Sequence, residues 1–370
     1  MFILRQEAFG GLLYSPETGE IYELNKRDFL ACDFLASQTD DDIQAVKSKD
    51  EQLYSRIAFF EKLTRKQQIS VINISRGLFS PTRLQAPENL VIKITNRCNY
   101  KCSYCYDNKE QVTDMSLATF KKIIDEAANE HVIRVDIGGG EPLLHEHLLE
   151  MVHYASQKKL VISLTTNGHF LTEQNLESLV CNGLSHIQMS VHDSADLLTW
   201  EKIAATLIRL NLPFGFNLLI TEQNQSQFMN ISRYLSSLNP GNIKILIPKG
   251  SPSNQEWFAS GSSLPLASII RMYLILEKNF KAVTADCLLN HYLNPDIYKT
   301  GACYAGRRSL CLGTDGEMYL CPFIRKGEQS LGNISDISLH EAWNTASSPV
   351  FEHRELGPSL FPLCHSDSLY

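Results

Sequence analysis

The apolar positions of this chain change rhythm twice. Over about residues 1–80, FILRQEAF and GGLLYSPETGEIYEL read as short strands with a turn at ETGE. NKRDFLACDFLAS and DEQLYSRIAFFEKL then place apolar residues three and four apart, the period of an amphipathic helix. LFSPTRLQAPEN, with two prolines, predicts a linker. From residue 87 strand and helix alternate. The strand NLVIKIT (89–95) precedes a helix over 116–130 that aligns Leu117, Phe120, Ile123, Ile124 and Ala127. VIRVDIGG, LVISLTTNG, HIQMSV, FGFNLLIT and IKILIP are the later strands. HLLEMVHYASQKK, LTEQNLESLVCNG, LLTWEKIAATLIRL and QSQFMNISRYLSSL are the helices between them. Thr172 is the expected N-cap and Gly183 the expected closing residue of the helix they bracket. Strands this continuously apolar predict a parallel sheet buried on both faces. Six such units make an open or partial barrel, since eight would close a full one. From about residue 299 the rhythm gives way to turns.

Composition narrows the function. A chain of 370 residues holds two or three domains, and 44% hydrophobic residues is ordinary for a globular protein. A net charge of -7 argues against a nucleic-acid partner, which needs a basic face. MFILRQEAFGG is not a signal peptide and no run reaches the length of a membrane helix, so a cytoplasmic protein with no membrane partner is expected. Ten cysteines in a reducing compartment are not a disulfide framework, and their placement is uneven. Cys98, Cys102 and Cys105 crowd into TNRCNYKCSYCYD; Cys303, Cys311, Cys321 and Cys364 lie near the carboxyl end; Cys32, Cys181 and Cys287 stand alone.

Three thiols on one short polar loop are not core residues. Soft thiolates in a group point to metal or iron–sulfur ligation. Three thiolates leave one iron of a cubane cluster open to a small chelating group. Zinc is the competing occupant, although structural zinc takes four ligands. The loop follows the first barrel strand, and in parallel α/β folds ligands gather at the carboxyl ends of strands. DIGGGEPLL (136–144), TTNG (165–168) and SVHD (190–193) end the next three strands in polar residues. The glycines of GGE permit close backbone approach, and Glu141 sets a carboxylate at a strand end. Elsewhere, HEH (145–147) reads as a surface helix start, Cys32 and Cys181 as buried apolar residues, and DDD (40–42) as a solvated loop or helix start.

CNYKCSYC after the first strand, GGEP after the second, TNG after the third and MSVHD at the fourth resemble the radical S-adenosylmethionine (SAM) superfamily over about residues 87–250. The resemblance implies that Cys98, Cys102 and Cys105 hold a 4Fe–4S cluster whose open iron chelates SAM. It implies that Gly139, Gly140 and Glu141 meet the SAM amino group, that Asn167 and Ser190 are further SAM contacts, and that Tyr104 packs near the adenine. The tail from CYAGRRSLC resembles a SPASM or Twitch domain. Cys303, Cys311 and Cys321 are then ligands of an auxiliary 4Fe–4S cluster, with Cys364 the fourth or that iron open. A second auxiliary cluster is not expected, because the later cysteine block of full SPASM domains is missing before the chain ends at CHSDSLY. FGGLLYSPETGEIYELN followed by NKRDF resembles a PqqD-like recognition element, a winged-helix-like domain that takes a leader peptide as an added strand.

The expected architecture is therefore a leader-binding domain (1–80), a partial (β/α)6 radical SAM barrel (87–298) and a truncated SPASM/Twitch domain (299–370). It implies an enzyme that modifies a ribosomally made precursor peptide, reduced by a donor such as flavodoxin or ferredoxin. Side-chain cross-linking is the leading outcome. Epimerisation, with Cys287 returning a hydrogen atom, is the runner-up, and maturation of a larger protein or small-molecule cofactor is the other class.

Overall fold

The computed structural model describes residues 1–15, 19–72, 84–102, 105, 112–192, 197–221, 224–247, 266–285, 289, 305–322 and 330–346. Its contacts divide the chain into two compact units, Met1–Gln85 and Ala86–Tyr370.

In the first unit, β1 (Phe2–Glu7), β2 (Gly10–Tyr14) and β3 (Ile21–Asn25) form an antiparallel meander, and β4 (Ile69–Ile72) pairs in parallel with β1. The order β3-β2-β1-β4 leaves β3 at one edge. Side chains alternate along β1. Phe2 and Leu4 join Leu13, Leu24, Phe29, Ile57, Phe60 and Ile69 in the core under α1 (Lys26–Ser37) and α3 (Glu51–Leu63). The other face of β1 carries a fully buried Arg5–Glu7 ion pair, and Glu7 Oε2 accepts the Gln85 amide at 3.0 Å. Asn25, Thr39 and Asp50 cap α1, α2 (Asp40–Lys47) and α3 through their side-chain oxygens, so DDD is a helix start. The hydrophobic pattern did not predict β4; its four residues become a strand only by pairing with β1.

In the second unit the six expected strands are β5 (Asn89–Thr95), β6 (Arg134–Gly139), β7 (Val161–Thr166), β8 (His186–Val191), β9 (Phe214–Leu219) and β10 (Asn242–Leu246), each parallel to the next. Two strands extend them. β11 (Val283–Ala285) adds in parallel to β10, and β12 (Ser309–Leu312) adds in parallel to the opposite edge, on β5. β12 turns back into β13 (Glu317–Tyr319), and β14 (Gly332–Asn333) ends the row. The helices are α4 (Leu117–Asn129), α5 (Leu148–Gln157), α6 (Glu173–Cys181), α7 (Leu197–Arg209), α8 (Phe228–Ser237), α9 (Leu266–Asn279) and α10 (Leu339–Thr345). Among the described residues none is long and apolar enough to cross a membrane.

The strands expected to be continuously apolar are apolar on one face only, while the second face is buried or half-buried but polar. Leu90, Ile92, Ile137, Leu164, Ile187, Met189, Phe216, Ile243 and Ile245 are buried on one face. Strand register places Asn89, Lys93, Arg134, Asp136, Ser163, His186, Gln188, Ser190, Asn217, Asn242 and Lys244 on the other. Polar partners meet across it: Asn89 donates to Asp136 (2.8 Å), Arg134 pairs with the same carboxylate (2.9 Å), and Gln188 donates to Asn217 (3.2 Å). The sheet therefore has a core on its helix-covered face and a hydrogen-bonded polar lining on its inner face.

Candidate functional site

The site is built at the carboxyl ends of β5 to β8. The loop bearing Cys98, Cys102 and Cys105 leaves β5 at Thr95 and returns at Asp114, where the two residues form an isolated antiparallel bridge. The three thiols are half-buried, and the Cys105 amide turns back on the Cys102 carbonyl at 3.2 Å. Two N–H groups approach Cys98 Sγ: the Tyr100 amide at 3.4 Å and the Asn167 side-chain amide at 3.9 Å. Among the described residues no three His, Cys, Asp or Glu side chains come close enough to hold a metal ion. Metal binding is what draws such ligands together.

Gly139 and Gly140 have a steric reason to be glycine. A Cβ on Gly139 would lie 2.1 Å from the Thr95 carbonyl oxygen, and one on Gly140 would lie 2.1 Å from that of Arg97. This approach lets the Gly140 amide donate to Thr95 O (2.8 Å) and the Glu141 amide to Arg97 O (2.7 Å), which stitches the end of β6 to the root of the cysteine loop. The Glu141 side chain is fully buried. Its Oε1 accepts the Leu143 amide (3.0 Å) and the Thr166 hydroxyl (2.8 Å), and its Oε2 accepts the Asn167 amide (2.8 Å). Burial raises its pKa, against the lowering effect of those three donors. The carboxylate is a brace between the ends of β6 and β7.

Asn167 sits directly over the cysteine loop. Its side-chain amide donates to Asn99 Oδ1 at 2.8 Å as well as toward Cys98, and its Oδ1 accepts the His169 amide at 3.0 Å. The next residue, Gly168, has φ +76, and a Cβ there would fall 1.8 Å from the ring of the buried Trp200. Tyr100 lies edge-on to both His169 and His192, with ring centroids 6.1 and 6.0 Å away. Ser190 is half-buried on the inner face, opposite Asn217.

The second cysteine group is placed in part. Cys311 is buried on β12, opposite Val91 of β5 and Tyr319 of β13, and Cys321 follows β13, half-buried. The turn expected at TDGE joins β12 to β13, with Gly316 at φ +83. Tyr104, Cys287, Cys303 and Cys364 lie outside the described residues.

Two bland readings are corrected. Cys181 is exposed, since it ends α6 on its outer side. His145 is buried rather than on the surface; its Nε2 is 3.0 Å from the Met115 carbonyl, and its Nδ1 accepts the His147 amide at 3.1 Å. Desolvation lowers its pKa. Sequence reasoning passed over Arg97, Asp114 and Thr166, which close and brace the loop. The polar strand end TTNG was the available signal for Thr166; Arg97 and Asp114, separated by the loop they close, offered none. It also passed over His186, whose burial pushes its pKa down to about 4. The half-exposed thiols, the N–H groups near one sulfur and the polar inner face fit an iron–sulfur cluster with a polar co-substrate beside it.

Residues 92–232 match the model of the radical SAM superfamily, and residues 303–366 match that of the SPASM iron–sulfur cluster-binding domain. The PqqA peptide cyclase of Gluconobacter oxydans (strain 621H) is 27% identical over 296 residues, covering 72% of this chain and 78% of that protein. Mycofactocin maturase MftC of Mycobacterium tuberculosis (strain CDC 1551 / Oshkosh) is 26% identical over 291 residues, covering 71% and 72%. In fold the chain is similar to Streptococcus suis SuiB bound to precursor peptide SuiA, with a TM-score of 0.64 at 17% identity over 95% of this chain and 88% of that one.

Proposed function

We propose that this radical SAM enzyme, whose cofactors are SAM and iron–sulfur clusters and whose carboxyl-terminal part is a SPASM domain, cross-links side chains of a ribosomally made precursor peptide. The observation that carries the reading is the meeting of two cysteine groups on one strand. β5 runs out into the Cys98–Cys105 loop, and the same strand pairs with β12, which bears Cys311. The peptide substrate is inferred from the relatives, a PqqA peptide cyclase and a mycofactocin maturase.

When bound, the first cluster and SAM supply a carbon-centred radical that takes a hydrogen atom from the substrate. The chain's own residues do the rest. Cys98, Cys102 and Cys105 hold that cluster, and the amide of Tyr100 and the side chain of Asn167 donate toward Cys98. Gly139 and Gly140 let the end of β6 close on the loop, and Glu141 locks the end of β7 to it; Ser190 of β8 and Tyr104 would contact the co-substrate. The core peptide lies against the polar inner face. Cys303, Cys311 and Cys321, with Cys364 as the fourth ligand or that iron open, would hold the auxiliary cluster, which would supply the acceptor for the electron released, together with a proton, on cross-linking. A flavodoxin or ferredoxin supplies the reducing electron. The leader adds to the outer edge of β3 in the first unit, where backbone N–H and C=O groups bind it as a further strand.

Epimerisation is the second reading, favoured by one observation. β11 belongs to the parallel sheet and ends at Ala285, two residues before Cys287 in sequence, so a thiol follows a strand end of the barrel. Changing Cys98, Cys102 and Cys105 together to Ala tests the enzyme reading. Reductive SAM cleavage and peptide modification are expected to vanish; survival of either would overturn it.

A further inference from the structure

The loop carrying Cys98, Cys102 and Cys105 is closed at its root by side chains. Thr95 Oγ1 donates to Asp114 Oδ1 at 2.5 Å. Arg97 grips the same carboxylate with both arms of its fork, Nε to Oδ1 at 3.1 Å and Nη2 to Oδ2 at 2.6 Å. Nη2 also donates to the Leu144 carbonyl at 2.8 Å, in the turn that follows Glu141. The Arg97 backbone is held as well, its amide on Thr95 Oγ1 at 3.0 Å and its carbonyl on the Glu141 amide at 2.7 Å. One residue further out, Asn96 and Thr113 exchange hydrogen bonds, and the Thr113 hydroxyl meets that of Thr314 at 2.8 Å, in the β12–β13 turn.

Stability does not explain this effort. The Arg97 and Asp114 side chains are 37% and 35% exposed, and a pair that open to water adds little to folding. A bidentate fork fixes orientation more than it stabilises. What it orients here is the residue covalently next to Cys98. It also settles a charge: Arg97 is a permanent cation beside a thiolate ligand, and Asp114 cancels it. The potential of an iron–sulfur cluster follows the charges and hydrogen bonds around it. Alone, the guanidinium would favour the reduced, more anionic cluster; alone, the carboxylate would disfavour it.

We propose that Arg97 and Asp114 form a neutral clasp that positions Cys98 against the Gly139–Glu141 turn and keeps the potential of the first cluster between the values that either charge alone would set. Both are positioning residues. The inference rests on the reading of Cys98, Cys102 and Cys105 as cluster ligands. The test uses the full-length, anaerobically reconstituted protein and its Asp114→Asn, Arg97→Gln, Arg97→Lys and doubly changed Asp114→Asn/Arg97→Gln variants. The readout is the midpoint potential of the paramagnetic signal that responds to SAM. Asp114→Asn is expected to raise that potential, Arg97→Gln to lower it, and the double variant to return toward wild type, with little change in thermal midpoint. Shifts of the same sign in the two single variants, or none in either, would overturn the clasp. If a single variant binds no iron, Arg97→Lys decides: wild-type potential with a weakened SAM response supports the clasp, and wild-type behaviour on both counts overturns it. Persistence of the SAM-responsive signal in the triple cysteine-to-Ala variant would refute the ligand assignment instead.

Discussion

At the scale of single residues, the site is held by buried polar groups that have little tolerance for loss. Glu141 takes three donors at once, so Glu141→Ala would strand the Leu143 and Asn167 amides and the Thr166 hydroxyl in a buried place. A loss of about 2–4 kcal/mol is expected, with a smaller one for Glu141→Gln, both measurable by anaerobic urea unfolding. Gly168→Ala asks a side chain to enter the Trp200 ring at φ +76, so it should lower both the thermal midpoint and the iron content, whereas Gly183→Ala should lower only the thermal midpoint. His186 is held neutral inside the inner face. The Asn242 side-chain amide approaches its Nε2 at 3.3 Å, so the ring proton sits on Nδ1 and points to Ser163 Oγ at 3.2 Å. Desolvation, aided by Arg134 and opposed by Asp136, moves its pKa from 6.5 to about 4. The unfolded chain therefore takes up a proton that the folded chain refuses. Stability is full above about pH 6.5 and falls as the pH drops toward 4, by at most about 3 kcal/mol. His186→Gln should flatten that window relative to wild type; an unchanged pH slope would mean that the imidazole is not kept neutral.

At the scale of elements, the strands that lead into chemistry were legible and those that depend on distant partners were not. β5 to β10 announced themselves as apolar runs bounded by polar strand ends, and Thr172 caps α6 as its position implied. β4, β11 and β12 are four residues or fewer, and their pairing with β1, β10 and β5 is a tertiary event with no local period. The polar inner face was hidden for a related reason: Val161, Val91 and Gly215 sit among its polar positions and blur the alternation. The cysteine loop was legible from spacing alone. The Arg97–Asp114 closure was not, because its partners are separated by the loop they close. The edge strand β3 carries its own prediction. Removing residues 1–85 takes away a unit with its own core, so SAM cleavage without substrate should persist while precursor affinity falls at least tenfold. Equal affinity for the truncated and full proteins, by fluorescence anisotropy of a labelled leader, would contradict the edge-strand reading.

At the scale of the whole molecule, two cysteine groups attached to one sheet imply two clusters, and about eight irons per chain after anaerobic reconstitution. The triple change at Cys98, Cys102 and Cys105 should roughly halve that iron, since Cys311 and Cys321 lie on the separate β12–β13 hairpin. The central claim is that the substrate radical ends in a bond between side chains. Cys287 separates this from epimerisation, because a cross-linking enzyme needs no thiol to return hydrogen to the peptide. The most direct measurement is the mass of the precursor peptide after co-expression with wild-type enzyme and with Cys287→Ala. A loss of two hydrogens in both samples is the predicted result. An unchanged peptide mass with inverted stereochemistry in the wild type, and no product from a Cys287→Ala variant that still cleaves SAM, would contradict the account.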